Sequence, residues 1–221
     1  MKFALLLLLF WSALFGETRL KIATYNIENL FDLKHDGGEY EEFVPYAASQ
    51  WNDKTYRAKL KNISRVINDI GADIVALQEV ESAQALRDLK DQIKREGIYY
   101  QYFAIADRKN TTIKVALLSR IPFVYAKELV VGSNLAHRNI LEVKFNVEGE
   151  SFYLFINHWK AKSGPESERI YSAKILRKRI EALGWDKNII LVGDFNSHYE
   201  EHKLFVKKRE HNDTNGKTGI N

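Results

Sequence analysis

Four places in the sequence end an apolar run on a side chain that can bind a metal or move a proton. Asn26 and Glu28 stand two apart in Thr24-Tyr25-Asn26-Ile27-Glu28-Asn29-Leu30-Phe31. On an extended chain they share one face while Ile27 takes the other. Glu79 closes the run Ile74-Val75-Ala76-Leu77-Gln78, and His158 closes Phe152-Tyr153-Leu154-Phe155-Ile156-Asn157. Asp194 and Asn196 flank Phe195 after Ile189-Ile190-Leu191-Val192-Gly193, again with co-facial spacing. The carboxylates of Glu28, Glu79 and Asp194 suit a hard cation, Mg²⁺ with Mn²⁺ or Ca²⁺ as alternatives, and not zinc. One or two carboxylates with waters is the usual Mg²⁺ shell where a substrate phosphate completes it. Taken singly, each acid also reads as a solvated strand end, and His158 as a hydrogen-bonded structural histidine. Only the set points to chemistry.

Holding such a set in place requires a mixed α/β framework, and the patterning predicts one. Residues 20–24, 74–77, 102–106, 115–118, 123–131, 140–147, 152–157 and 189–192 read as strands, with Glu148-Gly149-Glu150 as a hairpin turn. Leu60, Ile63, Ile67 and Ile70 lie at helical spacing over residues 56–70, and Gly71 stops that helix. Ser82 caps a second helix that Gly97 ends. A third starts near Pro165, turns Ala173, Leu176, Ile180 and Leu183 inward, and stops at Gly184. The polar stretch 32–53, rich in Gly and acids, is too long for a plain connection and reads as a functional loop. Beyond Tyr199 the chain is polar, with Leu204, Phe205, Val206 and Ile220 as its apolar anchors, and is expected to pack poorly. With no repeat, low-complexity tract or linker, residues 17–221 form one domain.

A chain of 221 residues, 45% hydrophobic, can bury a sizeable single core. The absence of cysteine excludes disulfides, thiolate metal sites and a Cys nucleophile. The balance of 33 Lys+Arg against 29 Asp+Glu permits an anionic partner without requiring one. At the N-terminus, Lys2 precedes a nearly unbroken apolar run over residues 3–15, with Gly16 before the charged Glu17. The run is shorter than the ~20 residues of a spanning helix, so residues 1–16 read as a cleaved secretory signal, an uncleaved anchor being the alternative. A periplasmic or secreted protein, free of the membrane after cleavage and monomeric, is the expectation.

Asn26-Ile27-Glu28, Leu77-Gln78-Glu79, Val115-Ala116-Leu117-Leu118-Ser119-Arg120, Asn157-His158-Trp159-Lys160 and Gly193-Asp194-Phe195-Asn196 follow one another in an order that resembles the endonuclease/exonuclease/phosphatase superfamily, the deoxyribonuclease I-like fold. The resemblance runs from about Leu20 to the chain end. It implies a four-layer α/β (α+β) sandwich, two mixed sheets face to face with helices outside and the active site at one edge. It also implies that Glu79 is the principal metal ligand, that Glu28 matches a position acidic in some members, and that Asn26 holds the metal shell or the phosphate. Asp194 and Asn196 would position the attacking water and the phosphate, and His158 would contact the phosphate or assist proton transfer. Arg138 precedes a strand where relatives carry a basic phosphate contact. The family's closing Ser-Asp-His motif is missing from the sequence, so the chain is expected to be incomplete at its C-terminus.

The family acts on nucleic acid, inositol phosphates, sphingomyelin and nucleotide ends, so the fold leaves the substrate open. Asn157-His158-Trp159-Lys160 resembles secreted bacterial nucleases. Lys160 and Lys162 follow His158, and Lys174, Arg177, Lys178 and Arg179 make the third helix basic, a feature that either binds a phosphate backbone or simply faces solvent. The expected activity is a Mg²⁺-dependent nuclease that contacts the phosphate backbone, through Arg138 and Lys160 among others, without reading sequence. The alternatives are a phosphatase or phospholipid phosphodiesterase of the same superfamily, or an inactive remnant that only binds phosphate.

Overall fold

The computed structural model describes residues 19–48, 50–205 and 212–220. The secretory signal expected over residues 1–16 lies outside the described residues. Strand β1 (Ile22–Leu30) leads through a long loop with one 3-10 turn (Glu41–Phe43) to helix α1 (Asp53–Ile70). Then come β2 (Ile74–Val80), α2 (Ala83–Arg95), β3 (Tyr102–Ile105), β4 (Lys114–Ser119) and β5 (Tyr125–Leu129). The hairpin β6 (Ile140–Val147) and β7 (Glu150–His158) precedes α3 (Glu166–Leu183), β8 (Asn188–Asp194) and the short α4 (Glu201–Phe205).

The strands form two four-stranded mixed sheets, ordered β1-β2-β4-β3 and β5-β6-β7-β8. In each sheet the parallel pair, β1/β2 or β7/β8, is joined by a helix, as a parallel connection requires. Ile74, Ala76, Val115 and Leu117 of one sheet pack against Leu141, Val143, Phe145, Leu154 and Ile156 of the other. The opposite face of the first sheet, with Val75, Leu77, Ala116 and Leu118, is covered by Leu60, Ile63, Ile67, Leu86, Leu89 and Ile93 of α1 and α2. The opposite face of the second, with Ile140, Tyr153 and Phe155, is covered by Leu176 and Ile180 of α3. Strands buried on both faces carry continuous apolar runs, which explains why β2 and β4 lack alternation. Four layers result, as the sequence resemblance implied.

The differences from expectation have local causes. Helix α1 starts three residues early because Asn52 and Thr55 form a reciprocal capping box. Strand β1 runs to Leu30 rather than stopping near 24, because its polar end is paired with β2. Beyond Tyr199 the described residues are better packed than expected. Glu201, Phe205 and Thr218 are buried, Lys162 donates to Glu201 (2.7 Å), and the Gly219 N–H donates to Glu166 (2.9 Å). The basic face of α3 is partly structural: Arg179 makes two hydrogen bonds to the buried Glu142 of β6 (2.7 and 2.8 Å), and Arg177 pairs with Glu181.

Candidate active site

The carboxyl ends of the two parallel strand pairs meet across the sandwich, the place where α/β sheets commonly bind ligands. Asn26, midway along β1 just before its bulge, is the junction. Its Nδ2 donates to Glu79 Oε1 on β2 (2.9 Å) and to Asp194 Oδ2 on β8 (3.2 Å), so one amide links two carboxylates from opposite sheets. His158 ends β7 with Nε2 3.7 Å from Glu79 Oε1, close but beyond hydrogen-bond reach.

The same local device bends the chain within β1 and just after β8. Asn26 Oδ1 accepts the Glu28 N–H (3.0 Å), and Asp194 Oδ1 accepts the Asn196 N–H (2.9 Å). In each case the residue two positions on is left-handed, with φ 51° at Glu28 and 49° at Asn196. Three β1 residues, 27–29, lie opposite Glu79 alone, which is itself at φ 69°. Bulges of this kind re-aim side chains beside functional sites. The extended chain on which the co-facial pairing of Asn26 with Glu28 rested is therefore not present. Glu28 is exposed at this bend, and its carbonyl accepts Lys59 Nζ (2.8 Å).

Gly193 lets β8 approach this closely. A Cβ there would lie 2.0 Å from the Asn157 carbonyl oxygen, and its φ is +126°. Asn157 in turn donates to the Phe155 and Val192 carbonyls and accepts the Trp159 indole N–H, locking the β7–β8 end in place. The Trp159 carbonyl then receives two donors, Asn196 Nδ2 (3.1 Å) and Arg138 Nη1 (3.2 Å). That brings Arg138 to the site.

Burial, and then the Arg138 charge, push the His158 imidazole down to about 3, with Asp194 opposing them. It is neutral at physiological pH, and its Nδ1 is buried without a partner among the described residues. Burial also pulls Arg138 below the ordinary arginine range, against the Tyr40 hydroxyl and the charges of Glu79 and Asp194. Lys59 is lowered by burial, against the charges of Glu28 and Glu79.

Asn26, Glu79, His158, Asp194, Asn196 and Arg138 thus converge. Lys160 follows Trp159 in sequence, and its aliphatic stem lies across Gly164, with no described contact to these six side chains. Three further groups were not singled out by sequence. Tyr40 comes from the 32–53 loop, which an aromatic column of Phe31, Phe43, Trp51 and Tyr56 anchors. Lys59 sits on α1, whose sequence pattern marks only the apolar stripe. The Trp159 carbonyl is main chain and has no sequence signature.

The sequence profile described as the Endonuclease/Exonuclease/phosphatase family matches residues 21–221. No curated protein matches the sequence. Among solved structures, D. rerio TDP2 complexed with a single-strand DNA product superposes with a TM-score of 0.58 at 16% identity, over 81% of this chain and 61% of that one. A beta-hairpin deletion mutant of beta toxin from Staphylococcus aureus gives 0.59 at 17%, over 86% of this chain and 72% of that one. An endonuclease/exonuclease/phosphatase family protein from Leptotrichia buccalis gives 0.57 at 15%, with the same coverages of 86% and 72%. The chain spans 61–63% of the D. rerio TDP2 structures and 49% of TDP2 from C. elegans. At these identities the likeness establishes the fold.

Proposed function

The chain belongs to the endonuclease/exonuclease/phosphatase family, and from that premise we propose that it hydrolyses phosphodiester bonds in nucleic acid with a divalent cation as cofactor. The observation that carries this reading is the Asn26 amide holding Glu79 and Asp194, one from each sheet, beside His158 and Arg138.

The donor set fits Mg²⁺. Among the described residues no three His, Cys, Asp or Glu side chains form a cluster that could hold a metal. A shell of one or two carboxylates, waters and a substrate phosphate is what these residues match, and it is the habit of Mg²⁺. Glu79 and Asn26, with Glu28 as the remaining acid, would hold the cation, Mn²⁺ or Ca²⁺ being substitutes. Bound there, such a cation would supply polarisation of the phosphoryl oxygens and stabilisation of the leaving oxyanion. Asp194 has both oxygens oriented by Asn26 and Asn196, which suits it to align a water and accept its proton. His158, neutral, offers one ring nitrogen to the phosphate. Arg138 and Lys160 supply positive charge for the phosphate backbone, which favours binding without sequence preference. The DNA product bound by the D. rerio structure supports a nucleic-acid substrate.

The same reading takes residues 1–16 as an export segment and the product as a periplasmic or secreted monomer. No described helix is long and apolar enough to cross a membrane. Cleavage of plasmid DNA and of RNA in Mg²⁺, in Mn²⁺ and in EDTA tests the reading. Glu79→Gln should lower turnover by orders of magnitude while the fold persists. Undiminished cleavage in EDTA or by Glu79→Gln would overturn it.

A further inference from the structure

The segment between β5 and β6 is wrapped around a lysine from another loop. Lys109 Nζ points at four main-chain carbonyls, those of Val131 (3.1 Å), Gly132 (3.1 Å), Asn134 (2.5 Å) and His137 (2.7 Å). An ammonium has three N–H bonds, so four oxygens around it form a cage for a cation and exceed a set of paired hydrogen bonds. Without the charge, four carbonyl dipoles would face one another around a partly buried space. Gly132 makes the curl possible, with φ 62° and the Tyr171 ring only 3.1 Å from where a Cβ would stand.

The caged segment ends at His137, and Arg138 is the next residue. The residue after it is held too. Asn139 Oδ1 accepts the Val131 N–H (3.1 Å), and Asn139 Nδ2 donates to Glu128 (2.8 Å), whose other oxygen accepts the Arg108 N–H (3.0 Å). Both neighbours of Arg138 are therefore tied to the loop that carries Lys109. The His137 ring is pinned separately, against Glu168 of α3.

We propose that Lys109 is a positioning residue, an internal cation that folds residues 131–137 and so aims the Arg138 guanidinium at the Trp159 carbonyl and the site. The proposal rests on the reading that Arg138 contacts the substrate phosphate. Misplacing one such group by an ångström can cost up to roughly 100-fold in rate. Lys109→Met, which keeps the stem and removes the charge, should lower kcat/KM about as far as Arg138→Ala. The double variant should be no worse than either alone. Lys109→Arg should recover part of the loss.

The test combines this double-mutant cycle with a readout that needs no turnover, the Arg138 Nε–H resonance in a ¹⁵N spectrum of the full chain, assigned by its loss in Arg138→Lys. It should be resolved in the wild type and collapse to the position of free arginines in Lys109→Met. Should Lys109→Met fail to fold in thermal unfolding, Lys109→Gln, which keeps two N–H donors without the charge, takes its place. Single effects that multiply in the double variant, or an unmoved Arg138 resonance, would overturn the proposal. If no form cleaves any phosphodiester, the functional reading fails, and the resonance alone decides the role of Lys109.

Discussion

Asn26 is the residue on which the two sheets agree. Its single NH₂ serves Glu79 and Asp194, which lie 53 and 168 positions away in sequence. A hydrogen bond to a charged group is worth about 1.5–3 kcal/mol, and here two such bonds also keep like charges at a fixed spacing. Asn26→Ala should therefore lose activity by roughly 10- to 100-fold with a modest fall in stability, since one such bond corresponds to about that factor. Asn26→Asp is the more telling change. It removes the shared donor and places a third carboxylate between two others, so the folded protein should be less stable without a divalent cation. Adding Mg²⁺ should then raise the melting temperature of Asn26→Asp by more than it raises that of the wild type. Equal Mg²⁺ shifts in the two proteins would mean that the cation does not sit among these carboxylates.

The elements that carry these residues were largely legible, and their tips were not. Apolar runs buried on both faces are visible in any window, which is why β2, β4, β6 and β7 and the stripes of α1 and α2 match the pattern reading. The bends that aim the site rest on Glu28, Asn29, Glu79 and Asn196 in left-handed conformations, none of them glycine, and no local pattern announces them. Arg179 looked like one more solvated cation because its partner, Glu142, is 37 residues away on β6. Gly193 was readable as a residue type, yet its purpose needs the neighbouring strand. Gly193→Ala sets a Cβ against the Asn157 carbonyl and keeps a strained φ, so it should cost at least about 3 kcal/mol in denaturant midpoints. A loss under about 1 kcal/mol would mean that β7 and β8 can part there without penalty. Glu142 gives the second test at this scale. Burial pushes it up, but Arg179, Tyr125 and Lys127 outweigh burial and hold it below the ordinary glutamate value of 4.5. A lowered folded value stabilises fully above the unfolded one, so this contribution is present above pH 4.5 and is lost as pH falls through the folded value. Arg179→Met leaves a buried carboxylate short of its main partner and should cost about 3–5 kcal/mol. Its unfolding in acid should also begin at higher pH than in the wild type. Unfolding curves from pH 3 to 7 that coincide would show that α3 is not tied to β6 through this pair.

At the scale of the whole molecule the net charge is only +4, so binding to a polyanion has to come from where the positive charge lies. Around the site it is carried by Arg138 and Lys59, with Lys160 as the proposed third contact, while Lys162 and Arg179 are taken up by Glu201 and Glu142. Each phosphate neutralised on a single strand contributes a slope of about −0.7 to log K against log salt. Three site cations therefore predict a slope near −2, and roughly a 16-fold weaker complex between about 50 and 200 mM salt. The measurement uses Glu79→Gln, which should bind without cutting, and mixed-sequence oligonucleotides labelled for anisotropy. Oligonucleotides of unrelated sequence should give the same slope and similar affinities, because charges that meet phosphates carry no base information. Arg138→Ala and Lys160→Ala should each flatten the slope by about 0.7. Lys178→Ala, on the solvent side of α3, should leave it unchanged. A slope that Lys178→Ala flattens and Arg138→Ala does not would move the nucleic-acid surface to α3, away from the carboxyl ends of the strands.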